Sequence, residues 1–156
     1  MFISKRVQEF LDQNDIKYAT IIHSKAYTAQ EIASSSHISG KELAKVVVLK
    51  DKNDNFALAV LPADKKVDLE AFEANTEMEG VELPEENEFR DLFPDAKTGA
   101  MAPFGNLYDI PTYIEKSMVN FHMITFNAGT HKELIRMPYN DFKELVKPKI
   151  IDFKLD

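Results

Sequence analysis

Apolar residues recur along this chain with two different periods, and the switches between them lay out the elements. Val7, Phe10 and Leu11 fall at i, i+3 and i+4 behind Ser4, which predicts a first helix capped by that serine and stopped at Asn14-Asp15. A short strand is expected from Tyr18 to His23. Thr28-Ala29-Gln30-Glu31 has the spacing of a capping box, with Tyr27 and Ile32 at the two positions of a hydrophobic staple, and Ser39-Gly40-Lys41-Glu42 repeats the Ser-x-x-Glu spacing. Two short helical pieces are therefore predicted before the first long strand.

That strand, Lys45 to Lys50, and its neighbour, Phe56 to Leu61, are separated by the polar turn formers of residues 51–55, the pattern of a hairpin. Both are apolar on both faces, so they belong inside a sheet that is covered on two sides or curled into a barrel. Val67 to Asn75 and Glu85 to Phe93 read as amphipathic helices, the second closed by Pro94, and a Gly/Pro-rich loop spans Lys97 to Gly105. Strands are expected near Thr112 to Glu115, Val119 to Phe126 and Glu133 to Met137, then a helix from Asn140 to Val146 and a tail strand near Ile150 to Phe153. The fold class is α+β, or mixed α/β. With 156 residues, 44% of them hydrophobic, and no internal repeat or Gly/Ser linker, residues 1–156 are expected to form a single domain around one core.

Composition then removes several chemistries. The absence of cysteine excludes disulfides, thiolate nucleophiles and cysteine-held metal. Charges interrupt the apolar residues of the N-terminus before a signal-peptide core can form, and no run of about 18 apolar residues exists, so a cytoplasmic protein with no membrane partner is expected. The net charge of −7 is regional: twelve acidic residues stand against Lys65, Lys66 and Arg90 between Asp64 and Asp95, a local −9 that leaves +2 for the rest. The near-neutral remainder permits contact with one end of an RNA without demanding it, and no DNA partner is expected.

No Gly-x-Ser-x-Gly elbow presents a serine, and His23, His37, His122 and His131 show no metal-ligand spacing, so neither a metal nor another cofactor is expected. Phosphate-binding and dinucleotide-binding glycine motifs are also missing. Lys45 stands out because it opens an apolar strand and shares a face with Val47 and Leu49; it either projects into a pocket, partly desolvated, or snorkels to water from the strand end. Gly99-Ala100-Met101-Ala102-Pro103-Phe104-Gly105 is either a rigid loop whose bare backbone approaches a ligand or an ordinary crossover. Asn127-Ala128-Gly129-Thr130 either borders a site or is a tight hairpin turn.

In order and spacing, Thr28 to Glu31, Glu42-Leu43-Ala44-Lys45, Gly99 to Gly105 and Asn127-Ala128-Gly129 resemble the YbaK/EbsC and prolyl-tRNA-synthetase-associated editing family, over residues from about 20 to 146. The resemblance implies a mixed sheet curled into a barrel with helices outside, and hydrolysis of the ester joining a wrong amino acid to the terminal adenosine of tRNA. It implies that Lys45 holds the aminoacyl-adenosine end, that backbone amides of Gly99 and Ala100 steady the attacked carbonyl, and that Thr28, Met101, Pro103, Phe104, Gly105, Asn127, Ala128, Gly129 and Thr130 border the substrate. With no nucleophile available, attack by a bound water, helped by a ribose hydroxyl of the substrate, is the implied mechanism. Ala100 and Met101 depart from the residues common in relatives, leaving the amino acid open, with Ala, Ser, Thr or Cys as first expectations. The implied partners are the aminoacyl-tRNA acceptor end and an aminoacyl-tRNA synthetase. Two alternatives are a non-catalytic tRNA- or synthetase-binding module of the same fold, and a metal-free hydrolase of another small ester.

Overall fold

A computed structural model describes residues 4–22, 43–97, 100–130 and 133–155. The first helix, α1 (Lys5–Gln13), is capped by Ser4, whose Oγ accepts from the Val7 amide at 3.4 Å, and it buries Val7 and Leu11. It is followed by β1 (Ala19–Ile22), β2 (Ala44–Lys50) and β3 (Phe56–Pro62). The loop between β2 and β3 closes through Asp51, whose carboxylate accepts from the amides of Asn53 and Asn55, both at 2.9 Å. Those donors, the Asn55 amide first, hold the Asp51 carboxyl below its ordinary value. β3 is buried on both faces from Ala57 onward, and β2 is buried on both faces at Val48 and Leu49 and partly buried over Lys45–Val47.

The remaining elements are β4 (Lys66–Val67), α2 (Leu69–Ala74), α3 (Glu86–Phe89), β5 (Thr112–Glu115), β6 (Met123–Asn127), β7 (Glu133–Pro138), α4 (Tyr139–Val146), β8 (Lys149–Ile151) and β9 (Lys154–Leu155). The sheet order is β1-β7-β6 in one piece and β2-β3-β5-β8 in another, with β4-β9 as a separate pair. A parallel bridge between Leu43 and Thr125 joins the start of β2 to β6, so the two larger pieces run on as one mixed, curled surface. The β3–β5 and β5–β8 pairs are parallel and the others antiparallel.

Four expected elements shift. The helix expected over Val67 to Asn75 is only α2, because Val67 pairs with Lys154 in β4–β9 and Asp68 caps the helix by accepting from the Ala71 amide. The helix expected over Glu85 to Phe93 is α3 followed by a 3-10 turn over Arg90–Leu92. The strand expected from Val119 begins only at Met123, since Lys116–Asn120 forms a 3-10 turn capped by the Glu115 carboxylate. Burial pushes that carboxyl up, but the amide hydrogens of Ser117 and Phe153 outweigh it and hold the group low. The tail strand splits into β8 and β9 around fully buried Phe153. The capping boxes at residues 28–31 and 39–42 lie outside the described residues.

Apolar residues pack on both faces of the curled surface. On one, Phe104, Phe126 and Phe142 interlock, with Phe104 edge-on to Phe126 at 5.4 Å between ring centroids. On the other, Leu49, Leu61, Phe72, Tyr113 and Phe153 pack together under α2. Among the described residues no helix is long and apolar enough to cross a membrane.

Candidate functional site

Three stretches singled out by sequence meet at one end of the curled surface. Lys45 is the second residue of β2, and it pairs with Leu61 on β3. On the other side of β2, the Leu43–Thr125 bridge carried forward two residues in parallel register sets Lys45 level with Asn127, the last residue of β6. Side chains two residues apart on a strand share a face, so Lys45 and Asn127 project from the same side. Directly after Asn127 comes the turn Ala128-Gly129-Thr130, and it is tied to the Gly/Pro loop by two backbone bonds. Gly129 donates its amide hydrogen to Ala100 O at 2.9 Å, and Lys97 donates to Gly129 O at 3.0 Å.

The turn needs glycine. Gly129 has φ +103, and a Cβ there would stand 3.0 Å from Ser4 Cβ, so both its conformation and its space reject a side chain. Ser4 is held against it by donating its amide hydrogen to Ala128 O at 2.6 Å. The Ser4 hydroxyl also donates to the Asp95 carboxylate, which in turn accepts from the Tyr108 hydroxyl at 2.8 and 3.0 Å. Burial, with Asp95 beside it, pushes the Tyr108 phenol well above its ordinary value. Nothing in the sequence period announces Ser4, Asp95 and Tyr108 as a unit, since they are far apart along the chain; Asp95 counts there only as one more acidic residue. Ser4→Ala removes both the helix cap and the Asp95 contact, and a loss of about 1 to 2 kcal/mol is expected by urea denaturation. A midpoint equal to the parent's would show that the tie carries no stability.

Lys45 is half-buried, and no other described residue lies within salt-bridge distance of its ammonium. Desolvation lowers its pKa from the usual 10.5, Lys66 lowers it further, and Asp64 pulls the other way. Partial burial beside a second cation is what lowers it. Level with it across the Leu43–Thr125 bridge, Asn127 Oδ1 is buried and accepts no hydrogen bond from a described residue.

The other loop residues divide. Ala100 is fully buried and supplies its carbonyl to Gly129, while its amide hydrogen is donated to Lys97 O at 2.9 Å. The expectation that this amide steadies a carbonyl is therefore corrected: the bond to Lys97 occupies it. Met101 packs with Val48, Leu58 and Phe93, and Phe104 lies among Phe10, Phe126 and Phe142. Both stand on the face of β2 that carries Ala44, Val46 and Val48, across the strand from Lys45. Pro103 is buried, and Gly105 is clamped against Ile110 and Thr112. Ala128 and Thr130 are buried in the turn itself. Thr28 and Gly99 lie outside the described residues.

A cleft of about 1070 Å³ opens at the opposite end of the β2–β3 hairpin, lined by Asp54, Phe56, Glu77, Asp109, Tyr113 and Lys149 among others, and it contains none of the residues predicted from sequence. Its mouth is acidic, which opposes a phosphate-bearing ligand. The Lys45 end, where a cation stands level with the last residue of β6 and the turn that follows it, is the better candidate. Among the described residues no group of three or more His, Cys, Asp or Glu side chains gathers as a metal site would require.

Comparison with known proteins gives a family and similar folds. The model of a family described as an aminoacyl-tRNA editing domain matches residues 23–145. The crystal structure of the hypothetical protein APE2540 is similar with a TM-score of 0.87 at 17% identity, covering 97% of this chain and 100% of its own. The structure of a candidate trans-editing enzyme for prolyl tRNA synthetase is similar with a TM-score of 0.83 at 18% identity, covering 98% of this chain and 97% of its own. At such identities these two likenesses speak for the fold alone. No curated protein sequence matches the chain significantly.

Proposed function

The chain belongs to the aminoacyl-tRNA editing domain family, and from that premise we propose that it is a trans-editing deacylase, hydrolysing the ester between tRNA and a small wrong amino acid such as Ala, Ser, Thr or Cys. The observation that carries the reading is the meeting, at one sheet end, of a half-buried lysine with a backbone turn whose loop partner is hydrogen-bonded to it. Lys45 holds the aminoacyl-adenosine end and stabilises charge developing on the carbonyl oxygen. The Gly99 amide donates to that oxygen, and Asn127 to Thr130, with Thr28, border the amino acid. A water attacks the carbonyl carbon, the acyl–oxygen bond to the ribose breaks, and the water's proton ends on the leaving ribose oxygen, relayed by the neighbouring ribose hydroxyl or by solvent. Positioning and electrostatics lower the barrier, with no covalent intermediate on the protein. Partners are the acceptor end of the tRNA and an aminoacyl-tRNA synthetase that makes the error.

Incubating the protein with a panel of mischarged tRNAs tests this: one or more small-residue esters disappear faster than in buffer. Survival of every ester in the panel would leave a binding module instead. The pH dependence carries a second expectation. If the ammonium form of Lys45 grips the carbonyl, the protein-dependent rate falls as pH rises through the lysine's lowered pKa, thus beginning below 10.5. Lys66→Ala removes one lowering charge and moves that inflection upward. A rate that climbs steadily through this range, after subtraction of spontaneous ester hydrolysis, contradicts the role.

A further inference from the structure

Asn127 Oδ1 is a buried acceptor without a donor among the described residues. Folded proteins rarely leave such an atom unpaired, because desolvation removes its water and nothing replaces it. Its place gives the vacancy meaning: Asn127 ends β6 level with Lys45, on the same face, and leads straight into the turn tied to Ala100. An aminoacyl ester offers three kinds of donor here: the α-ammonium, a ribose hydroxyl and any hydroxyl of the amino acid's side chain. A second cation beside Lys45, which already feels the repulsion of Lys66, is disfavoured. A neutral hydroxyl fits. The ribose lies on the leaving-group side of the carbonyl that Lys45 holds, and the amino acid, which Asn127 borders in the deacylase reading, lies on the acyl side.

We infer that Asn127 is a specificity residue whose Oδ1 accepts a hydrogen bond from the side-chain hydroxyl of the amino acid, so that the site favours seryl over alanyl esters; this rests on the deacylase reading above. A buried acceptor selects by leaving itself unpaired with the wrong ligand, which discriminates far better than an apolar wall does between groups of similar size.

The test is kcat/KM for seryl and alanyl esters of one tRNA, with the parent protein, Asn127→Ala and Asn127→Asp, each checked for a parent-like thermal transition. The parent is expected to favour serine by about tenfold to a hundredfold. Asn127→Ala brings the ratio near one, while Asn127→Asp, which keeps an acceptor oxygen in place, retains a preference for serine. Equal rates in the parent, or a preference that survives Asn127→Ala, overturn the inference while leaving the deacylase reading intact. A tRNA ending in 2′-deoxyadenosine separates the two hydroxyl sources: if Asn127→Ala slows the ribose substrate but not the deoxy one, and leaves the serine preference unchanged, the acceptor serves the ribose and the inference is overturned. If the parent cleaves no ester, the deacylase reading falls by itself. Binding of amide-linked seryl- and alanyl-adenosine then decides the contact: tighter seryl binding that Asn127→Ala abolishes supports it, and equal binding overturns it.

Discussion

Lys45→Ala is expected to lower single-turnover deacylation of a mischarged tRNA by about a hundredfold to a thousandfold, the range for removing one preorganised charge from a developing oxyanion. The fold should survive, because Lys45 sits near the open end of β2, is only half-buried and bonds to no other described side chain. Stability should even move the other way. A lysine whose folded pKa is lowered is held less comfortably as a cation in the folded protein than in the unfolded chain, so at neutral pH it opposes folding; that opposition fades as pH rises through the lowered value. Lys45→Met, which keeps the apolar stem and drops the charge, is thus expected to raise Tm modestly while abolishing activity. Loss of activity accompanied by unfolding would mean that Lys45 is a structural residue, and an unchanged rate would remove it from the mechanism.

The second large effect concerns stability. A Cβ on Gly105 would stand 2.2 Å from both Ile110 O and Thr112 Oγ1, positions no side chain can share. Those atoms cannot yield cheaply. Gly105 N donates to Thr112 Oγ1 at 3.1 Å, and Ile110 N donates back to Gly105 O at 2.9 Å, so the turn is locked onto the start of β5. Gly105→Ala must pry that turn from the sheet and disturb Phe104 beside it, at a cost of roughly 3 kcal/mol and a fall in Tm on the order of 10 °C. Gly80→Ala provides the comparison. Its φ of +65 is strained, but its nearest neighbour, Lys52 Cβ at 3.1 Å, need give only a few tenths of an ångström, so about 1 kcal/mol is expected. Equal melting temperatures for the two variants would contradict the clamp at Gly105.

The hairpin of β2 and β3 was legible because its signals are local: two double-sided apolar runs with Asp51 and Asn55 between them. Lys45 was legible for the same reason, as the single charge at the head of such a run. The loop from Lys97 to Gly105 was legible as a rigid piece but not in its internal division. Met101 and Phe104 are apolar whether they line a pocket or fill a core, and only the packing on the far face of β2 separates the two. The neighbourhood of Asn127 was hidden because it depends on the long-range Leu43–Thr125 bridge, which no period along the chain encodes. The late start of β6 had a similar origin: Glu115 caps a turn and also accepts from Phe153, a residue 38 positions away.

The central claim is that the aminoacyl end binds where β2 begins and β6 ends, and amide chemical shifts test it most directly. Titrating the isotope-labelled protein with an amide-linked aminoacyl-adenosine should perturb Lys45, Ala100, Asn127, Gly129 and Thr130, and leave Asp54, Glu77 and Asp109 in place. Perturbations gathered at those three acidic residues, with Lys45 and Gly129 unmoved, would place the ligand in the opposite cleft and contradict the account.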